Sequence, residues 1–186
     1  MNSSALTTWK RFHWLFFMNT QALLVCFRRI EILLNKGDHE ALRQELQTAA
    51  KLLRASGSSM IMAGSFSRDD YETMVRPSMS APNIPGDDFS GLMSWDHAAL
   101  IQSWRGLSPS LKSLSPELRS EHEGLLDAYH YLAKSHREVC ARFGGDEGGS
   151  LRTKKSVAVN ILDQFDKRRS NHLSPAPNGG CPMNHR

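Results

Sequence analysis

The spacing of apolar residues constrains the fold of this chain more than any other feature of its sequence. Between residues 118 and 143, apolar residues and two histidines recur every three or four positions, which places them on one face of an α-helix. This stripe consists of Leu118, His122, Leu125, Tyr129, Leu132, His136, Val139 and Phe143. No segment alternates apolar and polar residues in the way that indicates a half-buried strand. We therefore predict an all-α protein, folded as a helical bundle.

Five main helices follow from the same periodicity and from signals at the helix ends. They are predicted over roughly residues 8–35, 39–63, 95–105, 115–143 and 156–169. Gly37 is expected to end the first helix, Asp38 to cap the second, and Ser115 to cap the fourth. Residues 64–94 are rich in proline, glycine, serine and aspartate. They predict a long ordered loop with a short helix at 69–74.

The length and charge of the chain limit its organisation and its partners. Its 186 residues suffice for one domain with a sizeable core. We predict a single domain over residues 1–170 and a flexible tail over residues 171–186, which is rich in proline, asparagine and glycine. The net charge of +4 is not concentrated in a basic cluster with interleaved aromatic residues, so we expect no nucleic-acid partner.

The cysteines and the apolar N-terminal run indicate the compartment. Cys26, Cys140 and Cys181 form neither a disulfide framework nor a zinc motif, which favours a reducing, cytoplasmic setting. Residues 12–25 are apolar, but they are too few and too polar to span a membrane, and they lack a signal-peptide cleavage site. We therefore expect a cytoplasmic protein that does not bind a membrane.

Two histidines lie on the stripe of the fourth predicted helix. His122 and His136 are fourteen residues apart, or about 21 Å along the helix axis, so one metal ion cannot bind both. A single histidine on such a stripe is more often a hydrogen-bonded core residue than a ligand. His136 differs from His122 because Cys140 lies one turn further on and a glycine-rich loop, GGDEGGS, follows the helix.

The neighbours of His136 favour a large cofactor over a bare metal ion. A bare transition metal takes three or four ligands from the protein, and the chain has no HxxE, ExxH or HxxxH pair to supply them. A carboxylate di-metal centre is disfavoured for the same reason. A haem needs only one axial imidazole and an apolar slot, and the sequence offers both.

Three blocks of sequence, in this order, carry a family resemblance. They are RFHWLFFMNTQALLVCFRRIEILL followed by HEALRQELQTAAKLLRASGSSMIMAGSF, then DDYETMVRPSMSAPNIPGDDFSGLMS, then AYHYLAKSHREVCARFGGDEGGSLR. Together they resemble the haem-dependent aromatic oxygenases. That superfamily includes tryptophan and indoleamine 2,3-dioxygenases, haem-dependent tyrosine hydroxylases and the ring-rearranging enzyme of the pyrrolnitrin pathway.

The resemblance implies a haem cofactor held by the third block. His136 matches the proximal iron ligand. HREVC has the H-x-x-x-C form of a methyl-tyrosine hydroxylase whose haem is covalently linked through the cysteine. Cys140 is therefore either a c-type-like thioether link or a small core residue one turn from the ligand. We favour the core residue and a non-covalent, b-type haem.

The resemblance also implies the residues that bind substrate. Arg76 would pair with the carboxylate of an amino acid, a contact that suits a guanidinium, and the alternative is a surface ion pair. Phe16 would pack against the substrate ring, and the alternative is ordinary core packing. In the loop after the fourth helix, Gly148, Gly149 and Ser150 would close over the substrate.

The implied function is a haem-dependent oxygenase that acts on a tryptophan or tyrosine derivative, with dioxygen or peroxide, in a natural-product pathway. The distal histidine of tryptophan dioxygenases would fall near Asn19 and Thr20, where this chain has none, and His13 is the nearest substitute. The chain is shorter than tryptophan dioxygenases, so we expect a homo-oligomer. The alternative is a helical protein that binds haem or another apolar ligand without catalysis, or a partner subunit.

Overall fold

The computed structural model describes residues 5–83, 94–147 and 157–174, and this part of the chain is helical with no strand. The five main helices are α1 (Ala5–Lys36), α2 (His39–Ala63), α3 (Trp95–Lys112), α4 (Arg119–Arg142) and α5 (Ala158–Leu173). The prediction of an all-α bundle is therefore confirmed. None of the described helices is both long enough and apolar enough to cross a membrane.

The short helix predicted at 69–74 is longer than expected, and its hydrogen-bonding pattern changes along its length. It consists of an α-helical turn at Arg68–Asp70, a π-helical turn at Tyr71–Val75 and a last α-helical turn at Arg76–Ser78. We refer to residues 68–78 as the short helix. π-Helical turns are rare and are frequent at functional sites. This one packs against α1.

Helix α3 is longer than predicted. It was predicted to end near residue 105, but it continues past Gly106 and Pro109 and ends at Lys112. Leu107 and Leu111 belong to the larger cluster of buried apolar residues, the main core. Their packing outweighs the poor helix propensity of Gly106 and Pro109.

The start of α4 also differs from the prediction. Asp38 caps α2 as expected, since its Oδ1 accepts a hydrogen bond from the Ala41 amide at 3.1 Å. Ser115 makes no such bond, and its buried Oγ has no hydrogen-bond partner among residues 5–83, 94–147 and 157–174. A 3-10 turn at Pro116–Leu118 begins the helix instead.

The main core is formed where α2 packs between α1 and α4 and where α3 and α5 close the remaining sides. Gly37 has a φ of +69°, which glycine adopts without strain, and it reverses the chain between α1 and α2. Trp104 of α3 joins the layers, because its ring meets Phe27 of α1 and Tyr129 of α4 edge-to-face at 5.8 and 5.2 Å.

His122 belongs to this core. Its buried Nε2–H donates a hydrogen bond to the backbone carbonyl of Leu173, the last residue of α5. His122 is thus the hydrogen-bonded core residue that single stripe histidines usually are. Helix α5 ends four residues later than predicted and passes the proposed start of the tail at residue 171, because Leu173 is buried in the main core.

The approach of α2 to α4 depends on Gly57, and alanine there tests the packing. A Cβ added to Gly57 would lie 2.7 Å from Cε1 of Tyr131 and 3.2 Å from Cα of Leu132. We expect Gly57→Ala to lower the free energy of unfolding by about 1–2 kcal/mol, because overpacking exceeds the gain in helix propensity. Gly124→Ala is the control, since nothing lies within 4 Å of its added Cβ. It should gain up to about 1 kcal/mol. Urea denaturation measures both, and equal stability of the two variants would contradict the close packing.

Candidate functional site

A cavity of about 640 Å³ lies between α1, α3, α4 and α5 and reaches the end of α2 and the short helix. Most of its wall is aliphatic or aromatic, and its largest lining side chains include Phe16, Leu100, Trp104, Leu132, Phe143 and Phe165. Sites for cofactors and small molecules range from roughly 300 to 1,000 Å³ and are mostly apolar with a few polar groups. The cavity has the size and character of such a site.

His136 of α4 lines this cavity. Its side chain is half-buried, and within the described residues neither ring nitrogen forms a hydrogen bond. Burial, with smaller contributions from His13 and Arg169, lowers the pKa of His136 to about 4. The ring is therefore neutral at pH 7, and a neutral imidazole is the form that binds a metal.

Cys140 lies one turn after His136 and lines the same cavity. Burial raises the pKa of its thiol to about 11, so it is a protonated thiol at pH 7. The other described cysteine, Cys26, is a member of the main core and its pKa is raised to about 12 by burial and by Glu45. Cys140 thus lies in the wall of the cavity, whereas Cys26 lies in the main core.

Two further histidines line the cavity. Burial lowers the pKa of His97 on α3 to about 4, with Arg169 and His136 adding to the shift. Burial also lowers the pKa of His13 on α1. Nδ1 of His13 lies 3.1 Å from the Trp9 carbonyl and donates to it, so Nε2 is left as an acceptor. His97 was missed in the sequence, although its spacing from Leu100 and Trp104 places it on an apolar stripe.

The imidazoles of His13, His97 and His136 are not arranged to bind one metal ion together. Within the described ranges, no three His, Cys, Asp or Glu side chains come close enough to hold a metal ion together. The buried Nε1 of Trp104 also has no hydrogen-bond partner in the part of the chain that the structure describes. A cofactor that brings its own equatorial ligands fits this arrangement better than a bare ion does.

The predicted substrate residues are only partly brought together. Phe16 and Arg76 both line the cavity. The guanidinium of Arg76 is 3.3 Å from both carboxylate oxygens of Glu72, one turn earlier in the short helix, so it already has an ion-pair partner. Gly148, Gly149 and Ser150 lie outside the described residues.

The start of the glycine-rich loop is fixed to the short helix. Arg68 binds the carboxylate of Glu147 through both terminal nitrogens, at 2.6 Å for the Nη1–Oε1 pair, and this lowers the pKa of Glu147. The ring of Tyr71 stacks on Phe143 at 4.4 Å. Gly144 turns the chain after α4 with a φ of +80°. The loop therefore begins at the edge of the cavity.

The lowered histidine pKa values predict an acid-sensitive apo protein. His97 and His136 take up protons near pH 6.5 when unfolded but only near pH 4 when folded. The free energy of unfolding should therefore fall as the pH drops from about 6.5 to 4, by up to about 1.4 kcal/mol per pH unit for each histidine. We expect His97→Gln to make this fall shallower and His39→Gln, which replaces an exposed histidine, to leave it unchanged. Urea denaturation across this range checks it, and equal slopes for the two variants would contradict the assignment.

The fold and the site together define a class: an all-α protein with an apolar, histidine-bearing cavity of cofactor size. Residues 1–121 match the family model described as SfmD 3-methyl-L-tyrosine peroxygenase, and the chain belongs to that family. A curated relative, the 3-methyl-L-tyrosine peroxygenase of Streptomyces lavendulae, is 27% identical over 180 residues, which cover 95% of this chain and 49% of the relative.

The extent of these similarities differs. The family match ends at residue 121, before His136 and Cys140, whereas the alignment with the relative extends over nearly the whole chain. The chain spans about half the length of the curated relative it matches. No solved structure gives a significant match.

Proposed function

We propose that this protein is a haem-dependent oxygenase that oxidises an aromatic amino acid, a tyrosine derivative in the first instance, in a natural-product pathway. The observation that carries the proposal is the neutral, unpartnered imidazole of His136 in the wall of a large apolar cavity. The relative's activity as a 3-methyl-L-tyrosine peroxygenase supports the reaction class and favours peroxide over dioxygen as the oxidant. Membership of the wider superfamily of tryptophan and indoleamine dioxygenases is part of the proposal.

The residues around the cavity fit a haem. The imidazole of His136 would hold it, and the apolar wall, to which Trp104 belongs, would enclose it. Cys140 places a thiol on the same wall for a thioether link. When bound, the haem supplies the activation of peroxide or dioxygen.

The chain's own residues would position the substrate and exclude water. Phe16 would pack against the aromatic ring of the substrate. The guanidinium of Arg76 would bind the amino-acid carboxylate in place of the carboxylate of Glu72. Nε2 of His13 could accept a hydrogen bond from a phenolic hydroxyl in the cavity, since Nδ1 donates to the Trp9 carbonyl. The family resemblance adds Gly148, Gly149 and Ser150 as the loop over the substrate.

A homo-oligomer is also proposed. Helix α1 exposes apolar side chains along its outer side, at Trp14, Leu15, Met18, Val25 and Ile32. Exposed apolar patches of this kind mark protein interfaces. Light scattering at several protein concentrations tests this, and a monomer at all of them would contradict it.

The function is tested by loading the chain with haem and adding L-tyrosine, 3-methyl-L-tyrosine or L-tryptophan with hydrogen peroxide or with dioxygen and a reductant. We expect a product of a tyrosine substrate that carries oxygen from isotopically labelled peroxide, detected by mass spectrometry. Haem binding without turnover of any substrate would contradict the oxygenase and leave the second candidate, a haem-binding protein or partner subunit.

A further inference from the structure

One charged side chain in the cavity, that of Arg169, has no role in the proposed function. Arg169 on α5 lines the cavity with Ile161, Leu162 and Phe165, so an arginine occupies the apolar stripe of its helix. Its guanidinium carbon lies 4.9 Å from the centroid of the Phe165 ring, an arrangement typical of a cation–π contact. This contact holds the guanidinium against the cavity wall.

Arg169 has no carboxylate partner among the described residues. No Asp or Glu oxygen comes within 4 Å of its guanidinium, whereas Arg76, the other arginine of the cavity, is paired with Glu72. Asp166 is the nearest acidic residue along α5, and its Oδ1 lies 3.3 Å from Nδ1 of His130. Since an arginine stays charged even when partly buried, its position calls for an anion from outside the chain.

The groups around Arg169 also favour an anion. Burial and the positive charge of Arg105 lower the pKa of Arg169, whereas Tyr129 raises it. An anion beside Arg169 would offset the repulsion between Arg169 and Arg105.

We propose that Arg169 binds a carboxylate inside the cavity. The planar guanidinium fork matches a carboxylate, and a partly buried pair of this kind is strong because the charges are incompletely screened. Two ligands of the proposed function carry this group, a haem propionate and the carboxylate of the aromatic amino acid. The identity of the ligand thus rests on the proposed function, whereas the carboxylate chemistry rests on the cavity alone.

The test compares Arg169→Gln with Arg168→Gln, which removes the same charge from an exposed neighbour on the same helix. The first arm titrates each variant with haem and with haem dimethyl ester and follows the Soret band. The second arm measures binding of L-tyrosine and of tyramine by calorimetry, with the haem-free and the haem-loaded protein. The first pair of probes differs in the propionates and the second in the amino-acid carboxylate.

We expect Arg169→Gln to weaken binding of the carboxylate-bearing probe of one arm by about 10- to 100-fold and not to weaken binding of its carboxylate-free counterpart. The affected arm identifies the ligand. Arg168→Gln should match the wild type throughout. Should Arg169→Gln not fold, as judged by circular dichroism, Arg169→Lys should show the same selective loss to a smaller degree, because it keeps the charge without the fork.

The proposal is overturned if Arg169→Gln matches Arg168→Gln with both carboxylates, or if it weakens binding of the carboxylate-bearing and the carboxylate-free probes equally. It is also overturned if the wild type does not prefer the carboxylate in either arm. A wild type that binds no haem but prefers L-tyrosine over tyramine through Arg169 would contradict the proposed function alone.

Discussion

Replacing His136 with alanine is expected to abolish stable haem binding by this chain. Loss of an outer-shell partner of a metal ligand already costs about 10- to 100-fold in affinity, so loss of the ligand itself should cost more. The helix should persist, because alanine is the best helix former and the imidazole makes no hydrogen bond within the described residues. Titration with haem, followed at the Soret band, measures the effect.

His39→Ala is the matched control, because it removes a histidine that is half exposed on α2 and far along the chain from α4. It should bind haem as the wild type does. Added imidazole should restore part of the Soret band in His136→Ala, since the substitution leaves space where the ring was. A normal Soret band and full iron content in His136→Ala without imidazole would contradict the ligand assignment.

Cys140→Ser is expected to change how the haem is held rather than whether it binds. The sequence alone favours a b-type haem, with Cys140 as a small core residue. Its place on the cavity wall, one turn from His136, instead favours a thioether link. In the wild type expressed with haem, we expect mass spectrometry of the acid-denatured protein to find the chain plus one haem. Cys140→Ser should bind haem in the native state and release all of it on denaturation.

The control for this experiment is Cys26→Ser, whose cysteine lies in the main core. It should keep the haem attached after denaturation. Complete release of haem from the denatured wild type would contradict the thioether and return the b-type assignment. Retention by Cys140→Ser would show that another residue makes the link.

The sequence predicted the helices well because each depends mainly on its own periodicity. α2 begins and ends where predicted, since Asp38 and Gly37 mark its start with local signals. Helix α3 was predicted too short. Gly106 and Pro109 disfavour a helix locally, whereas the burial of Leu111 against other helices is a long-range effect that helix propensities do not describe.

The site was less predictable, because it depends on how the helices are rotated against one another. His122 and His136 lie on one stripe of one helix, yet α5 covers the first with the Leu173 carbonyl and leaves the second facing a cavity. His97 and Arg169 lie on the stripes of two other helices, and the sequence does not say that both stripes face His136. Each was visible as a polar residue in an apolar pattern, which is the signal that could have identified them.

The most direct test of the central claim is the electron paramagnetic resonance spectrum of the nitric oxide adduct of the ferrous, haem-loaded wild type. We expect nitrogen hyperfine splitting from one histidine. This splitting should change when the protein carries isotopically labelled histidine, and it should disappear in His136→Ala. A spectrum without histidine splitting, or one that is the same in the wild type and in His136→Ala, would contradict the binding of haem through His136.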